Sequence, residues 1–389
     1  MSTSEDRALR AEGEIGRFNS FFPILPRLGN RWAASRPWEG RTIALNLHLT
    51  TITGNLVREM ALGGGTFVLS AANPATTDPG TVEFIRNQGV SVYTGGDGED
   101  RHLQALGHNP DFLVDVGFDL IGTLLDKRPA QAAKVRGAVE VTRSGITRLR
   151  ERAAKARIPF PVVNINDGRL KKAVENRHGV GEAFWQAVCR LTGMHLAGRR
   201  VAVFGYGPVG KGLAIYGRAA GMLVDVVELD PVRRLFAHYD GFGTPTVEEA
   251  VARAQIAVTA TGVSRVITAD VVAKARDGLV LANAGHGGDE IALETIQQAA
   301  QREDQVADHV IRYHLEGGPR VTVLGGGHPL NIVLNSGSPE PVLLHYAVLG
   351  LTLDWMAKAT LPAGEQPVPD DIEAAAAALA LEALEVPSA

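Results

Sequence analysis

Residues 201–230 read VAVFGYGPVGKGLAIYGRAAGMLVDVVELD, and this stretch decides the fold. The β-branched run at residues 201–204 predicts a buried strand, the glycines predict a tight turn, and the residues from 209 onward predict a helix. The glycines fit the pattern G-x-G-x-x-G: one makes the turn, one admits a pyrophosphate, and one lets the helix pack on the strand. The phosphates would lie at the helix N-terminus. The predicted dinucleotide contacts in this turn are Gly205, Gly207, Pro208, Val209 and Gly210.

The next apolar run, residues 223–227, ends in Glu228. An acidic side chain at this point can accept both hydroxyls of the adenosine ribose of NAD and repel a 2′-phosphate. The sequence therefore favours NAD over NADP. Arg233 and Arg234 lie just beyond and could weaken this preference, although the first turn of a helix after Asp230 more often exposes such side chains.

The composition narrows the class of protein. With 389 residues and 45% hydrophobic composition, the chain is predicted to be globular and long enough for two domains. A net charge of -4 provides no electrostatic footprint for nucleic acid. No apolar run approaches the roughly 20 residues needed to cross a bilayer, so we expect no membrane partner.

The N-terminal residues lack a basic start followed by an apolar stretch, so no signal peptide is expected. Cys189 is the single cysteine and lies in a helical pattern, AFWQAVCRLTG. It cannot form an internal disulfide and is interpreted as a core residue rather than a nucleophile. These features predict a reduced, cytoplasmic setting.

Strands alternate with helical patterns in two blocks, which predicts an α/β fold of two doubly wound domains with mostly parallel sheets. The first block contains the strand-like runs RTIALNLHL, GTFVLSA, SVYTGG, DFLVDVG and FPVVNIN, and the second contains RRVAVFG, LVDVVELD, QIAVTATG, GLVLANAG and RVTVLGG. We predict a substrate domain over residues 1–180, completed by about residues 328–362. A Rossmann NAD-binding domain would cover residues 181–327, and a C-terminal tail with a helix-forming segment would cover residues 363–389.

Polar side chains follow several strands of the first block. His48 ends one apolar run and precedes a threonine-rich segment, and Asp115 ends another. Lys171 and Glu175 lie four residues apart, so an α-helix would place both on one face, with Asn176 adjacent. Such a pair is more often a solvent-exposed ion pair, but here it follows a buried strand. Ligands bind at the carboxyl ends of parallel strands, which favours a functional interpretation.

Eight motifs occur in the same order as in S-adenosylhomocysteine hydrolases, over roughly residues 20–335. They are LNLHLTT, EVTRSGITRL, NINDGRLKKAVEN, GYGPVGKG, ELDP, TATG, NAGHGGDEI and LGGGHP. The chain resembles that family, whereas ordinary dehydrogenases share only the glycine motif. The resemblance implies a tightly held, recycled NAD that oxidises the ribose 3′-hydroxyl of a nucleoside, permits chemistry at C4′ and C5′, and then returns the hydride.

The resemblance also implies roles for individual residues. Proton transfer and enolate stabilisation would fall to a catalytic set: His48, Asp115, Lys171, Glu175, Asn176 and His286. Substrate contacts would come from Thr50, Thr53 and His328. Beyond the glycine turn and Glu228, NAD would be lined by Thr142, Ser144, Thr261, Gly262 and Asn283. No metal ion is implied, the partner is a small-molecule nucleoside, and the chain is expected to form a homo-oligomer, either a dimer or a tetramer.

Several positions depart from the family pattern. The glutamate that holds the substrate 2′-hydroxyl aligns with Val141, and the acid that recognises the adenine edge aligns with Ile52. The family's aspartate after the lysine is Glu175, and its C-terminal Lys/Tyr segment has no counterpart in LEALEVPSA. Because unfilled hydrogen-bond partners are costly in a buried site, these changes favour an altered substrate.

Three functions follow as hypotheses. The first is 3′-oxidation of a different nucleoside or related sugar, leading to epimerisation or to elimination without addition of water. The second is the family's own reaction, hydrolysis of S-adenosylhomocysteine to adenosine and homocysteine. The third is a catalytically inactive NAD-binding regulator, which the retention of His48, Lys171, Asn176 and His286 opposes.

Overall fold

A computed structural model describes residues 3–285, 289–334 and 336–385, without the side chain of Ala75. The described residues form two compact units. The first contains the residues up to Lys172 together with those from Pro339 onward, and the second runs from Ala173 to Ser338. The sequence predicts a second domain that runs from residue 181 to residue 327.

The described residues form strands with the following bounds, in chain order: β1 (Thr42–Leu47), β2 (Thr66–Ala71), β3 (Ser91–Tyr93), β4 (Phe112–Asp115), β5 (Gly137–Glu140), β6 (Pro161–Asn164), β7 (Arg200–Phe204), β8 (Leu223–Val227), β9 (Ile256–Thr259), β10 (Leu279–Asn283), β11 (Ala300–Ala307), β12 (Val310–Leu315), β13 (Arg320–Leu324) and β14 (Gly364–Pro367).

The α-helices of the described residues are α1 (Ser4–Phe21), α2 (Ile24–Ser35), α3 (Thr51–Ala61), α4 (Pro79–Asn87), α5 (Gly98–Leu106), α6 (Asp119–Lys127), α7 (Pro129–Ala132), α8 (Arg143–Ala153), α9 (Val180–Thr192), α10 (Pro208–Ala219), α11 (Pro231–Tyr239), α12 (Val247–Arg253), α13 (Ala269–Val272), α14 (Leu293–Ala299), α15 (Leu330–Val333), α16 (Glu340–Lys358) and α17 (Asp370–Leu384). Short 3₁₀ turns cover Pro74–Thr76 and Gly325–Gly327, and a π-helical segment covers Lys171–Gly179. None of the helices in these ranges is both long and apolar enough to cross a bilayer.

The sheet of the first unit has the order β14-β6-β5-β4-β1-β2-β3, and every neighbouring pair is parallel. From β1 the chain builds outward through β2 and β3, then returns to place β4 on the other side of β1. The order therefore reverses between β1 and β4, and ligands of doubly wound sheets bind beside such a reversal at the carboxyl ends of the strands.

The sheet of the second unit has the order β11-β12-β13-β10-β9-β7-β8. The neighbouring strands from β8 across to β13 are parallel, whereas β12 pairs antiparallel with both β11 and β13. Here the order reverses between β7 and β9, so the glycine turn after β7 lies at the reversal. The predicted fold class, two doubly wound α/β domains with mostly parallel sheets, is confirmed.

Four strands of the sheets were not predicted. Strand β5 is only four residues long and is bounded by a glycine and a glutamate, so its apolar run is too short to stand out. Strand β14, GEQP, has no apolar periodicity and owes its conformation to pairing with β6. Strands β11 and β12 form an antiparallel hairpin whose first strand is largely exposed and polar. Strand β14 and helix α17 place the described part of the predicted tail in the first unit.

Candidate functional site

The glycines of the turn after β7 serve three different purposes. Gly205 has φ +95°, and a Cβ there would lie 2.7 Å from the carbonyl oxygen of Ala260. A Cβ on Gly210 would lie 1.9 Å from the carbonyl oxygen of Gly205, so this glycine lets α10 pack against the turn. Gly207 is the N-cap of α10, and a Cβ there would meet nothing within 4 Å. The bare backbone in front of the helix N-terminus fits a dinucleotide pyrophosphate.

Glu228 is held beside this turn. Its carboxylate accepts a hydrogen bond of 2.7 Å from the backbone N–H of Tyr206, and it also accepts the N–H groups of Leu229 and Asp230. The acidic side chain therefore lies at the end of β8 next to the glycine turn, the location that suits the ribose hydroxyls of NAD. Arg234 is exposed and donates to the carbonyl oxygen of Thr244.

The loop after β9 is held by hydrogen bonds to a carboxylate that the sequence did not predict. Glu290 is 1% exposed, and it accepts the backbone N–H and the hydroxyl of Thr261 at 2.9 and 2.8 Å and the N–H of Gly262 at 2.8 Å. Two predicted cofactor contacts, Thr261 and Gly262, are thus positioned by one buried acid. The signal available in the sequence was an acidic residue inside the NAGHGGDEI motif.

Asn283 ends β10 and is fully buried. Its side-chain oxygen accepts the hydroxyl of Thr259 at 3.0 Å and the N–H of Gly285 at 2.7 Å, while its amide nitrogen donates to the carbonyl oxygen of Gly327. The amide therefore links β9, β10 and the glycine turn before His328, whose side chain is exposed. His286, the predicted group near C5′, lies outside the described residues.

In the first unit, His48 lies immediately after β1. Its Nδ1 is 2.7 Å from Oγ1 of Thr76, and its carbonyl oxygen accepts the Thr53 hydroxyl at 2.6 Å and the Thr50 N–H at 3.0 Å. The hydroxyls of Thr53 and Tyr346 are 3.0 Å apart. Three predicted residues, His48, Thr50 and Thr53, are thus brought together at the start of α3.

Asp115 ends β4 across the sheet reversal from β1. It has no exposed surface, and it accepts Nδ2 of Asn46 at 2.9 Å and the N–H of Ile121 at 2.8 Å. Burial, and next the neighbouring charge of Glu140, raise the pKa of Asp115 well above its usual range. The contact with Asn46 links Asp115 to β1 two residues before His48.

Glu140, the register partner of Asp115 on β5, is a second buried acid that sequence reasoning overlooked. It accepts the backbone N–H groups of Gly117, Phe118, Val141 and Thr142 together with the Thr142 hydroxyl. Burial raises its pKa from 4.5 to about 7, although these donors act in the opposite direction. One carboxyl group thus organises the loops after β4 and β5.

Two predicted cofactor contacts lie at the start of α8. Thr142 is the N-cap, and its hydroxyl oxygen accepts the N–H of Gly145 at 3.0 Å. The hydroxyl oxygens of Thr142 and Ser144 are 3.3 Å apart. A Cβ on Gly145 would come within 2.1 Å of Glu140, so the helix start requires glycine there.

Lys171, Glu175 and Asn176 all belong to the π-helical segment rather than to the α-helix that we predicted. Single π-helical turns occur frequently at functional sites. All three side chains are half-buried. In the first unit, burial and, second, the charge of Lys171 lower the pKa of His345, a fully buried histidine on α16, so its imidazole is neutral. Within the described ranges, no three His, Cys, Asp or Glu side chains could together hold a metal ion.

Comparison with known proteins defines the class. Residues 176–337 match the family described as S-adenosyl-L-homocysteine hydrolase, NAD binding domain. The chain is 33% identical over 371 residues to an S-inosyl-L-homocysteine hydrolase of Methanopyrus kandleri, covering 93% of this chain and 88% of that protein. It is 34% identical over 372 residues to the adenosylhomocysteinases of Thermosynechococcus vestitus and Aquifex aeolicus, covering 93% of this chain and 86% and 89% of theirs.

The chain belongs to the adenosylhomocysteinase family. The resemblance drawn from the eight motifs is confirmed, and so is NAD as the cofactor. The homo-oligomer and the cytoplasmic location stay predictions.

Proposed function

We propose that the protein hydrolyses the thioether of a 5′-S-nucleosyl-homocysteine to a nucleoside and homocysteine, by transient oxidation of the ribose 3′-hydroxyl. The observation that carries this proposal is similarity, over 93% of the chain, to proteins named as hydrolases of such thioethers. The similarity covers the residues of both units, so it favours the complete reaction over NAD binding alone.

The second unit supplies the groups that would hold the cofactor. The bare backbone at Gly207 and the N-terminus of α10 suit the pyrophosphate, and Glu228 suits the adenosine ribose. Thr261, held by Glu290, would line the nicotinamide half. When bound, NAD supplies the acceptor that takes a hydride from the substrate C3′ and later returns it.

The chain's own residues would manage the protons. Lys171 Nζ would take the proton of the 3′-hydroxyl, with Glu175 and Asn176 orienting the ribose oxygen. Oxidation at C3′ makes the C4′ hydrogen acidic, and its loss allows the C5′–S bond to break. His48 would take this C4′ proton and give it to the departing sulfur, and it would then take a proton from the water that adds at C5′ and return it to C4′.

Asp115 would act differently from the residues that touch substrate. Asp115 has no exposed surface, and it accepts a hydrogen bond from the side-chain amide of Asn46 on β1. We therefore assign it to positioning β1, and with it His48, rather than to proton transfer at C4′.

In this proposal the substrate's base and sugar are recognised differently than in the family pattern. Ile52 is half-buried at the start of α3, and Val141 is buried after β5. Neither side chain can bond an adenine amine or a ribose 2′-hydroxyl, and each lost partner costs about 1–3 kcal/mol. The Methanopyrus relative is named for an inosyl substrate, in which the amine is absent. We therefore place inosine-type thioethers ahead of the adenosine compound.

The test measures homocysteine release from S-adenosylhomocysteine and from S-inosylhomocysteine in deuterated water. Mass spectrometry then locates deuterium in the products. We expect homocysteine release from at least one thioether, with greater kcat/KM for the inosyl compound and solvent deuterium at C4′ of the product. Efficient release from the adenosyl compound alone would contradict the assignment of Ile52 but not the hydrolysis.

The second candidate is epimerisation or elimination on a nucleoside or related sugar, favoured by the same two apolar positions. It predicts deuterium at a sugar carbon without loss of a C5′ group, or an unsaturated product to which no water has added. Absence of exchange with any nucleoside, despite bound NAD, would favour an inactive regulator.

A further inference from the structure

One ring nitrogen of His48 is in hydrogen-bond contact with the side chain of Thr76. Nδ1 lies 2.7 Å from the Thr76 hydroxyl oxygen, and Thr76 donates its hydroxyl to the carbonyl oxygen of Asn73 at 2.9 Å. Both contacts form within the first unit, on the 3₁₀ turn that follows β2.

The hydrogens available on each group favour one donor in the contact between His48 and Thr76. A threonine hydroxyl has one hydrogen to donate, and a backbone carbonyl can only accept. When the Thr76 hydroxyl donates to Asn73, its oxygen is left as an acceptor, and His48 Nδ1 is then the donor between the two side chains. In a neutral imidazole the other nitrogen, Nε2, is then unprotonated and has the lone pair that a general base requires.

The backbone around His48 is held as firmly as the ring. The carbonyl oxygen of His48 accepts two hydrogen bonds, from the Thr53 hydroxyl and the Thr50 N–H. With the main chain fixed on one side and Nδ1 fixed on the other, rotation of the imidazole is restricted, which is what a proton-transferring side chain requires.

We propose that Thr76 is a positioning residue that selects the Nδ1–H tautomer of His48 and thereby presents Nε2 as the base of the reaction. This inference rests on the proposed function for the role of His48, whereas the tautomer itself is independent of any activity. Thr76 does not touch substrate in this proposal.

Thr77 provides a matched control. Its hydroxyl donates to the same carbonyl oxygen of Asn73, at 3.2 Å, but the structure places no contact between it and His48 among the described hydrogen bonds. Thr77→Val therefore removes a neighbouring hydroxyl that bonds the same carbonyl oxygen, whereas Thr76→Val removes the partner of His48 Nδ1. Thr76→Ser keeps the hydroxyl and should rescue the effect.

The experiment measures the tautomer directly, by long-range ¹H–¹⁵N correlation spectra of ¹⁵N-histidine-labelled, full-length protein at a pH where His48 is neutral. The His48 signals are assigned by their loss in His48→Asn. We expect protonated Nδ1 in the wild type, in Thr76→Ser and in Thr77→Val, and a shift toward protonated Nε2 in Thr76→Val. An unprotonated Nδ1 in the wild type would overturn the proposal.

Kinetics test the consequence. We expect Thr76→Val to lower kcat for homocysteine release about tenfold with little change in KM, as for loss of one hydrogen bond that orients a catalytic group. A shifted tautomer with unchanged kcat would overturn the positioning role. The expected spectra in a protein that hydrolyses no thioether would reject the proposed function and leave the tautomer assignment in place.

Discussion

The carboxylate of Glu373, on α17, accepts a hydrogen bond of 2.8 Å from the backbone N–H of Leu170, the residue before Lys171. Glu373 is 4% exposed, and a Cβ on Gly168 would lie 2.8 Å from its Oε1. The loop that leads into the π-helical segment is therefore held by the C-terminal helix of the same unit.

Replacement of Glu373 by alanine should lower the free energy of unfolding by about 1–3 kcal/mol, because the Leu170 N–H loses its buried acceptor. Glu373→Gln retains an acceptor oxygen and should recover most of this loss. Urea denaturation measures both variants. Glu382→Ala, on the exposed side of the same helix, removes only the ion pair with Arg27 and should change stability by less than about 1 kcal/mol. Equal losses of stability in Glu373→Ala and Glu382→Ala would contradict the role of Glu373 in holding the loop before Lys171.

The glycine turn predicts opposite outcomes for two alanine substitutions. Gly207→Ala should fold normally, since φ is -71° and a Cβ meets nothing within 4 Å, but it should lower NAD affinity about tenfold or more by filling the pyrophosphate space. Gly210→Ala should instead lower stability by about 1–3 kcal/mol, because its Cβ would collide with the Gly205 carbonyl.

Each variant serves as the control for the other. NAD release after denaturation measures cofactor retention, and melting of the NAD-free protein measures stability. Normal NAD retention in Gly207→Ala would show that the turn does not face a pyrophosphate.

The buried carboxyl of Glu140 predicts a pH dependence of stability. Burial raises its pKa from 4.5 to about 7, so the folded state holds a proton that the unfolded state has lost across this window. Its contribution is therefore fully present below pH 4.5 and is lost as the pH rises through about 7. Asp115, whose pKa is also raised, acts in the same direction.

Glu140→Gln cannot titrate, so its melting temperature should fall less steeply than that of the wild type between pH 4.5 and pH 7. Thermal melting across this range checks the difference between the two proteins, and Glu382→Gln is the exposed control. An identical slope in Glu140→Gln would mean that Glu140 is ionised throughout.

The role assigned to Lys171 predicts a specific loss in the hydride step. Lys171→Ala should slow the reduction of bound NAD on addition of substrate by about 10²–10⁴-fold, the usual contribution of a general base. The absorbance of reduced nicotinamide measures this step. Lys172→Ala is the neighbouring control, since that side chain is exposed and pairs with Asp167 at 3.7 Å. A normal hydride step in Lys171→Ala would remove Lys171 from the mechanism.

The sequence by itself determined the strand, turn and helix at residues 200–219, the acid at the end of β8 and the family. These features depend on residues close together in the chain: β-branched runs form strands, and a glycine turn has a fixed spacing. The resemblance carried by the motifs also pointed to His48, Thr50 and Thr53, which all follow β1 in the chain.

Only the tertiary structure decided what the buried carboxylates do. Glu140 bonds a backbone N–H 22 residues away, Glu290 bonds one 29 residues away, and Glu373 bonds one 203 residues away. An acidic residue in a sequence looks the same whether it faces water or a loop, because its partners are chosen by how strands and helices pack. For the same reason β14 was missed: its residues lack a strand pattern, and it is a strand because the edge of β6 pairs with it.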